Sequence, residues 1–320
     1  MSTKAPLVIG LLLGACSGGG DDATDAAAID ALAIDAPVDA IPDALVMNPG
    51  LVTPTAVTKA NVRSGGVWSE VGDADWSCLG TPSTDQPSTG TIALGGRVVD
   101  SQTGNGVGDA TITAWSTDPS ASVGSTTTSG AAATRGEYAM TLGMLPSGTR
   151  RYGFTLAADG YVRSHVLGKY YPPGNAASDD LHVVSEATAT ALPAFVGVER
   201  DVTKAMYIGM MLDCQGRHVS NAVAGLSLVP TTLVDAGGKT FYFSAGSTSL
   251  PVRHNIEPVM NVDGLFTVLD ASPGAGPHVQ VWGFRTQADL IAGTLTLLAE
   301  IAAPAQPNDA ITVTLHPRRS

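Results

Sequence analysis

The sequence predicts an all-β protein made of two similar stacked-sheet domains, and three observations carry that expectation. Residues Gly96 to Trp115, GRVVDSQTGNGVGDATITAW, read as an opening hairpin: an extended stretch from Gly96 to Asp100, a Gly/Asn-rich reversal at Thr103 to Gly108, and a second strand. In that second strand Ala110, Ile112 and Ala114 alternate with Thr111 and Thr113, the signature of one buried face. The arrangement returns at Gly209 to Leu228, GMMLDCQGRHVSNAVAGLSL, with Asp213 in the place of Asp100 and Gly216 in the place of Gly104. Composition agrees, because 37 Gly and only 14% charged residues suit a chain of many turns and short strands.

Taken in order, the chain opens on an export signal. Lys4 supplies the positive start, and Pro6 to Leu13 is an apolar run too short to span a bilayer. It ends in Leu13-Gly14-Ala15-Cys16, which resembles the lipobox of bacterial lipoproteins. The resemblance implies a signal peptide over 1–15, diacylation of the Cys16 sulfur, cleavage before it and acylation of the new amino group. A thiol is the nucleophile that a thioether requires, and small neighbours fit a peptidase cleft. Ser17 in the next position goes, in enterobacterial lipoproteins, with sorting to the outer membrane.

Residues 16–60 read as a disordered tether. Asp21, Asp22, Asp25, Asp30, Asp35, Asp39 and Asp43 are spaced through Ala and Pro, with no basic residue before Lys59. An acidic segment without aromatics, broken by Pro37 and Pro42, buries too little surface to offset the entropy of ordering. A helix from Asp25 to Ala36 capped by Thr24 is the competing reading. Cleavage before Cys16 leaves 16 Lys and Arg against 29 Asp and Glu, a net charge of -13, and these seven aspartates carry more than half of it. A charge of that sign, with no basic stripe, argues against a nucleic-acid partner.

A pre-domain segment, 61–90, holds Trp68, Asp73, Asp75, Trp76 and Cys78 and has the apolar anchors to pack on a domain. The two aspartates could be hard oxygen ligands for calcium, but no calcium loop follows and a solvated turn is the simpler reading. The first domain, 91–184, continues after its hairpin with a polar loop from Ser116 to Thr134. Alternating Tyr138, Met140 and Leu142 follow, then a reversal at Pro146 to Gly148, then Tyr152, Phe154 and Leu156. The pieces GRVVD, GVGDATITAW, GEYAMTL and YGFTLAADGY together resemble the carboxypeptidase regulatory-like domain. That resemblance implies a transthyretin-like (prealbumin-like) Greek-key β-sandwich.

Residues 185–204 form the expected linking helix, with Ser185 as N-cap, Glu186 in the first turn, and Ala189, Leu192, Phe195 and Val196 sharing a face. The second, divergent sandwich spans 205–320. Its insert, 230–258, holds Phe241, Tyr242 and Phe243 in an added hairpin. Asp263 to Val268 matches the strand that starts at Gly136; Val279, Val281 and Phe284 carry a later strand; Leu290 to Ala302 and Ile311 to Leu315 close the domain as strands.

Candidate chemistry is sparse. With Cys16 acylated, Cys78 and Cys214 remain, and an oxidising compartment favours their pairing as a disulfide over two separate buried thiols. His254 and Glu257 have the spacing of a zinc carboxypeptidase ligand pair, but that catalytic unit is a large α/β domain, and the pair here sits inside a β insert. Tyr161, Tyr170 and Tyr171, beside Pro172-Pro173-Gly174, could form an aromatic rim for a sugar or peptide; packing against the sandwich accounts for them equally. The sequence offers no nucleophile elbow and no phosphate-cradling loop, so no catalytic residue, metal or cofactor is assigned. The expectation is therefore a non-enzymatic lipoprotein of the cell envelope, joined to a membrane through its N-terminal anchor. It would serve as a structural or binding module for an envelope protein, peptide or glycan, with a surface glycan or peptide binder as the alternative and a zinc hydrolase behind it.

Overall fold

The computed structural model describes residues 52–174, 176–232, 237–245, 249–274 and 276–320. The expected signal, Cys16 and the tether up to Leu51 lie outside the described residues.

A hairpin comes first, β1 (Lys59–Ser64) and β2 (Val67–Asp73), turning through Gly65 and Gly66. The first lobe contains β3 (Ile92–Asp100), β4 (Thr111–Trp115), β5 (Ser122–Thr127), β6 (Glu137–Leu142), β7 (Tyr152–Ala157), β8 (Tyr161–Val162), β9 (Ser164–Lys169), β10 (Ala177–Ser178) and β11 (Leu181–Ser185). Helix α1 (Glu186–Phe195) leads into the second lobe. There β12 (Ala205–Met211), β13 (His218–Ser220), β14 (Ala222–Ser227), β15 (Lys239–Phe243), β16 (Pro251–Val252), β17 (Leu265–Ala271) and β18 (His278–Gly283) follow. After the short helix α2 (Gln287–Ala292) come β19 (Thr296–Ala302) and β20 (Ala310–Leu315).

The protein is all-β and of sandwich type, and the internal repeat is a repeat of strand wiring. In the first lobe β3 pairs antiparallel with β6 and parallel with β11, while β4 pairs with β7 and β7 with β9. In the second, β12 pairs antiparallel with β17 and parallel with β20, while β14 pairs with β18 and β18 with β19. Small details repeat as well. Asp109 and Asn221, one residue before Ala110 and Ala222, both adopt left-handed backbone (φ 58° and 61°), a conformation their short polar side chains tolerate.

One expectation needs correction. β3 and β4 are not a hairpin: they lie in different sheets, as do β12 and β14. Ile92, Leu94 and Val98 of β3 and Ile112 and Ala114 of β4 all enter one core. Two strands can bury such faces against each other only from facing layers, so the reversal crosses between sheets.

The two lobes share a sheet of nine strands in the order β16-β15-β17-β12-β20-β9-β7-β4-β5. β20 lies inside it, parallel to β12 of its own lobe and to β9 of the first. The sheet is covered on opposite faces at its two ends. Val166, Phe154 and Ile112 point into the first core, under β3, β6 and β11. Ile311, Val313, Tyr207 and Phe266 point the other way, toward β14, β18 and β19, and Trp115 and Leu167 of the first lobe join that second core. Helix α1 closes a third, smaller cluster with Val162, Val184, Met206, Phe241, Leu269 and Ala310.

Helix α1 starts at the expected cap, with the Ser185 hydroxyl accepting from Thr188 N at 3.2 Å. Ala189, Leu192 and Val196 are buried, whereas Phe195 is exposed. The insert does carry a hairpin, β15 with β16. Two segments differ from expectation. The Ser116 to Thr134 loop contains the edge strand β5, and Leu290 to Ala292 belong to α2, where Thr286 and Asp289 make a reciprocal capping box.

Candidate functional site

The polar groups that the fold brings together lie at the junction of the lobes. Trp115, Thr155 and His165 stand on the face of β4, β7 and β9 that looks toward the second core, and Asp309 precedes β20 beside them. Trp115 Nε1 donates to Thr155 Oγ1 (3.0 Å), and Thr155 Oγ1 meets His165 Nδ1 (3.0 Å). His165 Nε2 meets Asp309 Oδ2 (3.1 Å). The network assigns the tautomer: Nε2 carries the proton toward the carboxylate and Nδ1 accepts from the threonine hydroxyl. Asp309 also receives Arg163 Nε on Oδ1 (2.6 Å) and Gln306 N on Oδ2 (2.6 Å).

His165 is 3% exposed and Asp309 1% exposed, and both are fully partnered, as buried ionisable groups must be. The order hydroxyl, imidazole, carboxylate has the outline of a nucleophile with its base. Thr155 is nonetheless mid-strand, and its oxygen already accepts from Trp115. The arrangement therefore acts as a clamp. Its neighbours extend it: Arg200 joins Glu186 of α1 to Asn308 (2.5 Å each), and Met206 N donates to Asp309 O (2.9 Å). A shallow cleft beside it is lined by Arg200, Lys204, Asp270 and Asn308.

A second constellation ties the pre-domain segment to the second lobe. Cys78 and Cys214 form a disulfide with Cα atoms 5.7 Å apart. Asp213 anchors the adjoining turn: its carboxylate accepts from Gln215 N (2.9 Å), Arg217 N (2.9 Å), Asp75 N (3.1 Å) and the Arg217 guanidinium (2.6 and 2.8 Å). Asp75, read as a calcium ligand in one alternative, instead accepts from Ser77 N and Gln215 Nε2, and those hydrogen bonds hold it below its usual range. Asp73 pairs with Lys59 at 2.7 Å.

The three tyrosines do not converge. Tyr171 is 7% exposed, packs against Tyr152 and Phe154, and donates to Asp179 Oδ2 (2.8 Å), so its ring is core and not rim. Tyr170 Oη accepts from Gln86 N (2.9 Å), and Tyr161 packs on the edge of the first core. A sugar or peptide rim would have to use Tyr161 and Tyr170 without Tyr171. In the insert, Glu257 accepts from Asn261 Nδ2 at 2.7 Å, and burial pushes its carboxyl up and the His254 imidazole down. Among the described residues no group of three or more His, Cys, Asp and Glu side chains is arranged to hold a metal ion.

No known family model matches the chain, and no curated protein does. Solved structures with some likeness include the shaft pilin SpaA of Lactobacillus rhamnosus GG. A single-substitution mutant of that pilin is 11% identical over 72% of this chain and 98% of the pilin, with a TM-score of 0.20. A streptococcal ancillary pilin is 14% identical over 73% of this chain and 64% of its own, with a TM-score of 0.19. Superpositions that loose carry no argument about function.

Proposed function

We propose that the chain is an exported lipoprotein whose two fused β-sandwich lobes serve as a non-enzymatic structural or binding module of the cell envelope. The Cys78–Cys214 disulfide carries this reading. Such bonds persist in oxidising compartments outside the cytoplasm. The bond uses both cysteines other than Cys16, which leaves the one thiol that ends the export signal for acylation. Among the described residues no helix is long and apolar enough to cross a membrane. The Trp115 hydrogen bond that occupies the Thr155 oxygen, at a mid-strand position, supports a non-catalytic role for this hydroxyl-imidazole-carboxylate arrangement.

The test is the fate of Cys16→Ser in the producing cell. Wild-type protein should partition with the detergent phase and carry the mass of a diacylated and N-acylated cysteine. The variant should move to the aqueous phase without that mass. Retention of the variant with the membrane at unchanged mass would overturn the anchor.

A further inference from the structure

The charges of this acidic chain are unevenly placed. Arg150, Arg151, Arg318 and Arg319 gather around residues 81–85, in a protein with only 17 Lys and Arg in total. Arg151 Nε pairs with Asp85 Oδ2 at 2.7 Å and its Nη1 donates to Gly168 O at 3.1 Å. Arg150 donates to the Asp85 carbonyl, and Arg319 Nη1 donates to Thr81 Oγ1 at 2.6 Å. Arg318 is exposed, and among the described residues its guanidinium meets no acceptor. The neighbouring Lys169 is matched by Asp179 at 2.8 Å. Among the described residues the Asp85 carboxylate pairs with one of the four guanidinium groups, that of Arg151, and the other three form no ion pair.

The same end of the molecule holds the beginning of the described chain. Trp76 Nε1 donates to Thr58 Oγ1 (2.9 Å), Leu79 N to Trp76 O (3.0 Å), and Gly80 N to Arg318 O (2.9 Å). A short relay therefore joins Thr58, near the start of the described residues, to the backbone of Arg318. Desolvation, then the charges of Arg151 and Arg319, hold the His316 imidazole below its usual range, with Asp85 opposing. Both arginines therefore act on one spot. All four cations are arginines, whose planar forks match the oxygens of a phosphate better than a lysine does.

We infer that Arg150, Arg151, Arg318 and Arg319 form a docking surface for the phosphates of anionic lipid headgroups, seating the folded lobes on the membrane that holds their anchor. The inference rests on the lipoprotein reading for its geometry but is testable without it. An acyl group on Cys16 selects no face of the lobes, and the arginines give them a preferred one. Cationic side chains near an anionic surface contribute through attraction that salt screens.

The experiment uses residues 16–320 carrying Cys16→Ser, so that neither an acyl group nor the apolar signal contributes, with vesicles of phosphatidylcholine alone or mixed with phosphatidylglycerol. Retention on the anionic vesicles only, lost in high salt and weakened about fivefold by Arg318→Ala, is the expected result. Because the exposed Arg318 guanidinium has no partner among the described residues, that variant is expected to fold as wild type does. No retention on anionic vesicles, or retention indifferent to Arg318→Ala and to Arg319→Ala, overturns the proposal. Retention that appears only after deletion of 21–43 assigns the arginines to the chain's own aspartates and overturns it equally. Failure of the anchor would show separately, in the mass of the native protein.

Discussion

The two lobes have the same wiring but are secured differently. In the first, the turn after β3 is held by its own chain: Asp100 Oδ1 accepts from Gln102 N, Thr103 N and the Thr103 hydroxyl, at 2.8 to 3.1 Å. In the second, the corresponding Asp213 is bound from outside as well, by Asp75 N, and the next residue is disulfide-bonded to Cys78. The last strands differ too. The outer edge of β11 is partly covered by the two residues of β8, whereas the outer edge of β20 is taken by β9 of the other lobe. A repeated sandwich leaves an edge at the same place in each copy, and an unpaired edge is a site for further strand addition. Here one copy covers that edge locally and the other uses it for fusion.

Reduction is expected to break the symmetry of the comparison most. Closing a loop of 136 residues stabilises by roughly 4 to 5 kcal/mol in the chain-entropy model. Cys78→Ser with Cys214→Ser should therefore lower the denaturation midpoint, and hydrogen exchange should rise first around Asp213 to Ser220. Uniform loss across both lobes would show that the shared sheet makes them one cooperative unit.

The residue before the equivalent glycines offers a pH test. In the first lobe it is exposed Arg135; in the second it is Asp263, fully buried, with Leu265 N donating to Oδ1 at 3.1 Å and the Ser249 side chain also hydrogen-bonded to its carboxylate. Burial pushes the Asp263 carboxyl up to about 7, against the opposing effect of its hydrogen bonds. The folded chain thus keeps this proton after the unfolded chain has lost it. Its contribution is fully present below the unfolded value near 4 and is lost as pH climbs through about 7. Asp263→Asn should stabilise the protein at pH 8, by about 2 to 4 kcal/mol, and much less at pH 4. Equal effects at both pH values in denaturant melts would remove the buried proton from the account.

Several strands, though not their pairing, were legible because they left one face exposed. Glu137 to Leu142 alternates exposed and buried along β6, and the spacing of Tyr138, Met140 and Leu142 reports it. The Ser185 cap was legible for a similar reason, since capping is local chemistry. β9 was not: Ser164, His165, Val166 and Leu167 are all buried, because Val166 faces the first core and Leu167 the second. A strand buried on both faces has no alternation to read. α2 reads as strand in the sequence because Leu290 and Ile291 are apolar, although Ile291 is 79% exposed; Thr286 and Asp289 were the available signal. The clamp had no motif at all, since His165 and Asp309 are 144 residues apart and meet only because β20 enters beside β9.

The smallest expected difference between the lobes lies in the matched glycines. Gly136 and Gly264 both have positive φ, 87° and 64°, where an L side chain is strained in either lobe. The space around them is unequal. A methyl at Gly136 would lie 2.6 Å from Val98 O and 2.8 Å from Gly106 Cα and Val107 N, all backbone held in place by the β3 crossover. At Gly264 the nearest atoms are Met211 O at 3.0 Å and Val219 N at 3.1 Å, where a shift of a few tenths of an ångström is enough. Gly264→Ala should then cost about 1 to 2 kcal/mol, mostly strain, and Gly136→Ala about 1 kcal/mol more, because the backbone around it must move further. Chemical denaturation of the two single variants measures the gap directly. Equal costs would mean that the first crossover yields as easily as the second, despite its closer backbone contacts.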